Sequence, residues 1–252
     1  MPVTHFDCKA GLIATADCLK QCPVERCLSL PTLHALAENR VFKPPYVFST
    51  TQLLNPTRIA YLQLVKDYAV NPKQRGFMLL GTRHHERLDE VAKKVEGLKS
   101  EMQLGGEVSG ILDLLEPRGD GWALIDYKTV GVYAIKKMLN NDWDSGYDLQ
   151  LNNYRIKATA LGFPVTSLYI QYTARDGGTK TYKDSGISEQ IGLIPVPILP
   201  DDTVMEYFWD KDKALRTALE TNTMPPMCDS KERWGGRRCG EYCDVARWCK
   251  NG

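Results

Sequence analysis

At 252 residues, with 43% hydrophobic and 25% charged side chains, the chain is long enough for one substantial globular core with small attached modules. A formal net charge of +1 excludes recognition of a polyanion by bulk charge, so any nucleic-acid surface has to arise from local arrangement. The opening MPVTHFDCKAG offers no apolar run suited to a signal peptide, and no later stretch reaches membrane-spanning length. A cytoplasmic or other reducing compartment and no membrane partner are therefore expected.

In chain order, residues 1–45 read as a cysteine-bearing helical appendage closed by Lys43-Pro44-Pro45. Residues 46–221 read as an α/β core that starts with a helical entry through residue 75. In GTRHHERLDEVAKKVEGL, Leu88, Val91, Val95 and Leu98 recur at helical spacing, which predicts a helix from near Gly81 with two histidines in its first turns. Adjacent helical residues point in different directions. His84 shares the Leu88 and Val91 stripe and suits a packed histidine, whereas His85 points aside and suits a metal ligand.

The next segment, GEVSGILDLLEPRGDGWALIDYKT over residues 106–129, alternates on either side of a Pro-Arg-Gly-Asp-Gly turn and predicts a β-hairpin. A period of two places Glu107, Ser109, Ile111 and Asp113 on one face of the first strand, and Asp126 with Lys128 on one face of the second. Ala-Leu-Ile before Asp126 marks a buried strand. Two carboxylates beside a lysine are costly unless a cation sits between them. Mg²⁺ and Mn²⁺ take such oxygen ligands, and the ammonium can hold or help deprotonate a water aimed at a phosphate. The competing reading is a solvated hairpin with ordinary surface charge.

Farther on, DLQLNNYRIKATAL places Gln150 and Tyr154 four apart on one helical face; alone, the pair reads equally as a capping amide and a half-buried tyrosine. Strands around VTSLYIQYTA and EQIGLIPVPIL follow, then a final helix after Asp202 and a cysteine-rich tail over residues 222–252.

The eight cysteines fall into two groups: Cys8, Cys18, Cys22 and Cys27, then Cys228, Cys239, Cys243 and Cys249. In a reducing compartment metal ligation outranks disulfides. The first group, Cys-x9-Cys-x3-Cys-x4-Cys, suits Zn²⁺ or a set of buried free thiols in two helices. Four thiolates in the second suit zinc or an iron-sulfur cluster.

These pieces in this order resemble the RecB-like branch of the PD-(D/E)XK nuclease superfamily, and within it the iron-sulfur exonucleases that include CRISPR-associated and helicase-coupled nucleases. GTRHHERLD is similar to the family's Gly-x-x-x-His-x-x-Leu-Glu helix, with Asp89 where glutamate is usual. The resemblance covers roughly residues 48–249. It implies a restriction-endonuclease-like core with a central mixed β-sheet flanked by helices, plus cysteine-rich metal-bound terminal segments. It also implies that Asp113 and Asp126 hold Mg²⁺ or Mn²⁺ with help from His85 and the carbonyl of Tyr127, with Lys128 on the attacking water. Glu107 fits a recurrent glutamate of the hairpin, and Gln150 with Tyr154 matches a Gln-x-x-x-Tyr element. The tail resembles the family's [4Fe-4S] region. Asn55 stands where a distant cysteine ligand is usual, a place that the resemblance would have Cys228 fill, making the terminal quartet self-sufficient.

The activity implied is metal-dependent DNA exonuclease action at free or unwound DNA ends, with DNA that is single-stranded or has free ends as the partner. Helicase or recombination and integration proteins are the implied partners. The alternatives are a subunit that processes DNA only inside such a complex, and a non-catalytic DNA-end-binding module. Lys136, Lys137, Arg155, Lys157 and Arg175 offer phosphate contacts, and Tyr133, Tyr169, Tyr172 and Trp234 offer stacking surfaces.

Overall fold

The computed structural model describes residues 3–37, 47–66 and 68–249; the Lys43-Pro44-Pro45 break expected to end the appendage lies outside them. The chain opens with β1 (Val3–Cys8) and β2 (Gly11–Ala14), followed by α1 (Thr15–Lys20) and α2 (Leu30–Ala37). The expected helical start is corrected to a hairpin followed by two short helices. Gly11, at φ +89°, faces Cys8 across the turn, a backbone state glycine adopts without the Cβ penalty that would disfavour the hairpin.

β3 (Phe48–Ser49), α3 (Thr50–Leu53), α4 (Thr57–Val65) and β4 (Tyr68–Val70) come next. Ser49 caps α3 by accepting the N–H of Gln52. α5 (Gly76–Ala92) begins upstream of the expected Gly81. Val91 and Val95, expected on its buried stripe, are 41% and 49% exposed. Leu88 and Ala92, one turn apart, make the inward contact instead, and Val95 lies beyond the helix end.

β5 (Lys99–Leu104), unanticipated from the sequence, leads into β6 (Val108–Arg118) and β7 (Gly121–Val130), whose expected hairpin forms with Arg118 opposite Gly121. α6 (Val132–Leu139) and α7 (Tyr147–Ala160) then carry the chain to β8 (Val165–Ala174), as a parallel step from β7 requires. α8 (Lys180–Lys183), β9 (Ile191–Val196), α9 (Asp201–Glu220), α10 (Arg237–Glu241) and α11 (Ala246–Cys249) complete the order.

Contacts divide the chain into two compact units. The first collects residues 1–48, 55–79 and 209–252. Its sheet runs β2-β1-β4, with β1 antiparallel to β2 and parallel to β4, over a small core of Phe6, Leu33, Leu36 and Val70. Both cysteine groups lie in this unit, and all eight are free thiols.

The second unit comprises residues 49–54 and 80–208. Its mixed sheet runs β6-β7-β8-β9, with β5 paired to β6. β7 is flanked by antiparallel β6 and parallel β8, and Leu112, Leu124 and Ile170 from these strands are fully buried against Ile135 and Leu151 of the helices. This is an α/β fold with a central mixed sheet flanked by helices. Its central strand carries Asp126 and Lys128.

Candidate active site

β7 supplies the site because its sequence is apolar on both faces up to the point where the charges begin. Ala123, Leu124 and Ile125 are buried, and Asp126, next in line, is 1% exposed. Its Oδ1 accepts a hydrogen bond from Gln150 Nε2 of α7 at 3.2 Å. Its Oδ2 pairs with the Lys128 ammonium and has no other partner among the described residues.

Asp113 arrives from β6. The β6–β7 ladder runs from Arg118 and Gly121 to Leu114 and Ile125; at its end the N–H of Tyr127 is taken by Asp113 Oδ2 at 2.8 Å. The side chain thus continues the ladder, and the same oxygen lies 3.5 Å from His85 Nδ1. Glu101 reaches the site from β5, at φ +48°, a left-handed state rare for a non-glycine residue and concentrated at strained sites. Among the described residues, one group of three or more His, Cys, Asp or Glu donor atoms lies within 4.8 Å of one another: His85, Glu101 and Asp113. A cleft of about 420 Å³ opens onto them, with Asp89 and Glu86 on its wall.

The charges carry the cost of this crowding. Burial pushes the Asp126 carboxyl up, to about 6, with Asp113 adding to the rise and Lys128 opposing it. Burial works against the Lys128 charge, but Asp126 and Asp113 outweigh it and hold the ammonium up at about 12. Burial, then Asp113 and Asp89, raises Glu101. The hydrogen bond to Asp113 raises His85 against the pull of burial. Carboxyl groups whose negative charge is disfavoured by burial and by neighbouring carboxylates describe a place that a divalent ion would relieve. Oxygen and imidazole donors at this spacing fit a hard or borderline ion such as Mg²⁺ or Mn²⁺.

His84, by contrast, points its Nε2 to Thr173 Oγ1 at 3.2 Å, and burial lowers its pKa. Tyr154 is 3% exposed against β6; burial pushes its hydroxyl up, partly offset by its hydrogen bond to Gln150. Glu107 lies exposed in the bend before β6, where its charge acts on Lys157, and is not brought to the His85 group. Two residues of the site carry no motif. Glu101 was hidden with β5, although the alternation of Met102 and Leu104 in KSEMQL marks its strand. Tyr147, whose ring centroid lies 5.0 Å from Lys128 Nζ, falls one helical turn before Gln150 and has no signal of its own.

Several expected phosphate and base contacts are committed within the fold. Lys157 Nζ donates to the carbonyls of Gly105 and Val108, Arg155 bonds the Leu199 carbonyl and Asp201, and buried Tyr172 donates its hydroxyl to the Glu189 carbonyl. Tyr133 and Trp234, at 70% and 53% exposure, keep accessible rings.

In the first unit, Cys228, Cys239, Cys243 and Cys249 line one cavity of about 160 Å³ with Ile59, Leu62 and Val245 on its walls. Buried Arg58 donates from Nε to Cys249 Sγ at 3.1 Å and from Nη1 to the Pro225 carbonyl at 2.7 Å. Asn55 Oδ1 accepts from Arg238. Cys8, Cys18, Cys22 and Cys27 line a second cavity. No three cysteine sulfurs among the described residues lie within 4.8 Å of one another. Among those residues, no helix is long and apolar enough to cross a membrane.

No curated protein matches the chain. A solved structure described as "Crystal structure of SSO0001" is similar in fold, with a TM-score of 0.51 at 15% identity over 87% of this chain and 92% of that chain. The PD-(D/E)XK nuclease superfamily matches residues 50–250. That span holds the mixed sheet, the Asp113 and Asp126 strands and the Asp126–Lys128 pair, and over it the chain belongs to the PD-(D/E)XK nuclease superfamily.

Proposed function

We propose that the protein is a Mg²⁺- or Mn²⁺-dependent DNA exonuclease that hydrolyses phosphodiester bonds at free or unwound ends, within the RecB-like iron-sulfur branch of the superfamily. The observation that carries the hydrolytic reading is the convergence of His85, Glu101 and Asp113 beside the buried Asp126–Lys128 pair. Asp113, Asp126, His85 and Glu101, with the Tyr127 carbonyl, would hold a divalent ion, which would supply positive charge to the phosphate. The chain's own residues do the rest. Lys128, held as an ammonium, donates to the attacking water or to a phosphate oxygen and orients it rather than removing its proton. Gln150 fixes the Asp126 carboxylate through Oδ1, Tyr154 holds α7 against β6, and Tyr147 keeps Lys128 in place through its ring.

End preference, DNA as substrate and the branch assignment rest on the motif resemblance, as does a [4Fe-4S] cluster on Cys228, Cys239, Cys243 and Cys249. The donor set fits such a group: four thiols line one cavity with apolar Ile59, Leu62 and Val245 and charged Glu232, Arg233 and Arg238, and the Arg58 guanidinium reaches the Cys249 sulfur.

The test is cleavage of end-labelled linear and closed circular DNA, single- and double-stranded, with Mg²⁺ or Mn²⁺, alongside Asp113→Ala. Stepwise shortening of linear DNA with circles intact is expected. Cutting of circles at the same rate overturns the exonuclease reading. Cleavage only within a recombination or integration assembly favours a processing subunit, and end binding without cleavage a non-catalytic module.

A further inference from the structure

We infer that Cys8, Cys18, Cys22 and Cys27 form a structural zinc site, separate from both the active site and the C-terminal cysteine group, that closes the Gln21–Ser29 connector onto the β1–β2 hairpin. The four thiols come from three different places in the chain. Cys8 ends β1 at the hairpin turn, Cys18 is buried on α1, and Cys22 and Cys27 lie in the connector between α1 and α2. All four line one cavity of about 710 Å³. Convergence from separate segments is what a metal site requires and what buried thiols filling a core do not need.

The local fold has a use for such a staple. The core beneath it is small, built on Phe6, Leu33, Leu36 and Val70, and the connector has no helix or strand of its own, with Val24 49% exposed. Small cores of this kind gain much of their stability from a bound metal. The electrostatics also fit. Four thiolates around Zn²⁺ carry two net negative charges, and Lys9, Arg26 and Lys73 line the same cavity against the carboxylates of Asp7 and Glu25. Asp7 is itself engaged by Arg247.

Zinc is favoured over an iron-sulfur cluster by the surroundings. Cys27 is exposed and the rim is charged, an environment that suits a redox-inert ion. The C-terminal cavity likewise has an exposed thiol, Cys239, and charged Glu232, Arg233 and Arg238 on its lining, but Ile59, Leu62 and Val245 add apolar walls there. No three of the sulfurs lie within 4.8 Å of one another among the described residues; tetrahedral ligation, with sulfurs about 3.8 Å apart for ~2.3 Å Zn–S bonds, requires them to draw closer than that.

The experiment measures zinc, iron and acid-labile sulfide per chain in the full-length protein, and the visible spectrum after exchange with Co²⁺. It compares wild type, a Cys22→Ser/Cys27→Ser variant and a Cys239→Ser/Cys243→Ser variant. Wild type should carry about one zinc, with the Co²⁺ spectrum of a tetrahedral thiolate site. The N-terminal variant should lose that zinc and gain protease sensitivity within residues 1–37, while its C-terminal metal content and Mn²⁺-dependent cleavage stay at wild-type levels. The C-terminal variant should keep the zinc. Zinc retained in the N-terminal variant, absent from zinc-supplemented wild type, or replaced there by iron and sulfide overturns the proposal. Because the readout is metal content, an inactive nuclease would not affect the outcome.

Discussion

A Cβ placed on Gly110 would lie 2.4 Å from Cε1 of Tyr154, so the strand carrying Asp113 and the helix carrying Gln150 approach each other through a position that tolerates no side chain. Gly110→Ala leaves every polar group of the site in place and displaces the ring that packs α7 on β6. It should cost about 1–3 kcal/mol of stability and lower cleavage about 10-fold or more. Thermal unfolding and single-turnover rates check this; a fully active Gly110→Ala protein would show that α7 has no positioning role.

Asp113→Ala and Asp126→Ala should each reduce cleavage about 100-fold or more while DNA affinity measured in Ca²⁺ changes little. Glu101→Gln should mainly raise the Mn²⁺ concentration needed for half-maximal rate. If Glu101→Gln leaves that concentration unchanged, Glu101 is a neighbour of the site and not a ligand.

The two adjacent histidines should separate cleanly. His85→Ala removes a donor within the Glu101 and Asp113 group and should depress metal-titrated activity. His84→Ala removes the contact to Thr173 and should cost about 1 kcal/mol of stability with activity retained. Greater catalytic loss from His84→Ala at equal folded fraction reverses the assignment.

Proton and metal compete at Asp126. Its carboxyl titrates near 6 in the folded, metal-free chain against an ordinary 3.8, so protonation favours the fold. That contribution is fully present below about pH 4 and is lost as pH rises through about 6. Metal binding needs the ionised form, so affinity for Mn²⁺ should climb across the same window. At subsaturating Mn²⁺, the cleavage rate should fall as pH drops below about 6, and the midpoint should move to lower pH as Mn²⁺ is raised. A midpoint indifferent to metal concentration would separate the titration from the site.

Cys243→Ala should release the C-terminal metal and loosen the tail, read by visible absorption and limited proteolysis. A chain lacking residues 1–30 should keep that centre. It loses β1 with its ladder to β4, the Phe6 packing of the small core and the exposed Asp7–Arg247 pair, but retains Tyr68 and Arg75 on Asp244 at 2.6 and 3.2 Å. Loss of the centre with the rest folded would mean that the two cysteine groups share one site.

The hairpin was legible because its alternation, turn residues and buried run before Asp126 point the same way, and β6 and β7 form the expected pair. His84 and His85 separate in the structure along the directions expected of adjacent helical residues. What escaped were short strands. β1 finds β4 across more than sixty residues, and β5 is short, with its apolar alternation confined to Met102 and Leu104 after the polar run Lys99-Ser100-Glu101. Glu101 was missed with it, since a ligand on an unrecognised element cannot be placed. The expected stripe on α5 differs because Val91 faces outward within the helix while Ala92 packs inward, and Val95 lies past the helix end.

The division of the chain has a consequence for its synthesis. The second unit draws almost all of its residues from the continuous run 80–208, whereas the first needs residues 209–252 to join 1–48 and 55–79. During translation the sheet bearing Asp113 and Asp126 can therefore fold while the segment with Cys228 to Cys249 is still unmade. The N-terminal hairpin waits for partners more than two hundred residues away, such as Arg247 for Asp7. Closing a loop of that length is slow. The cysteine-bearing unit is then the last part of the molecule to mature, and its thiols stay open to oxidation for as long as that wait lasts.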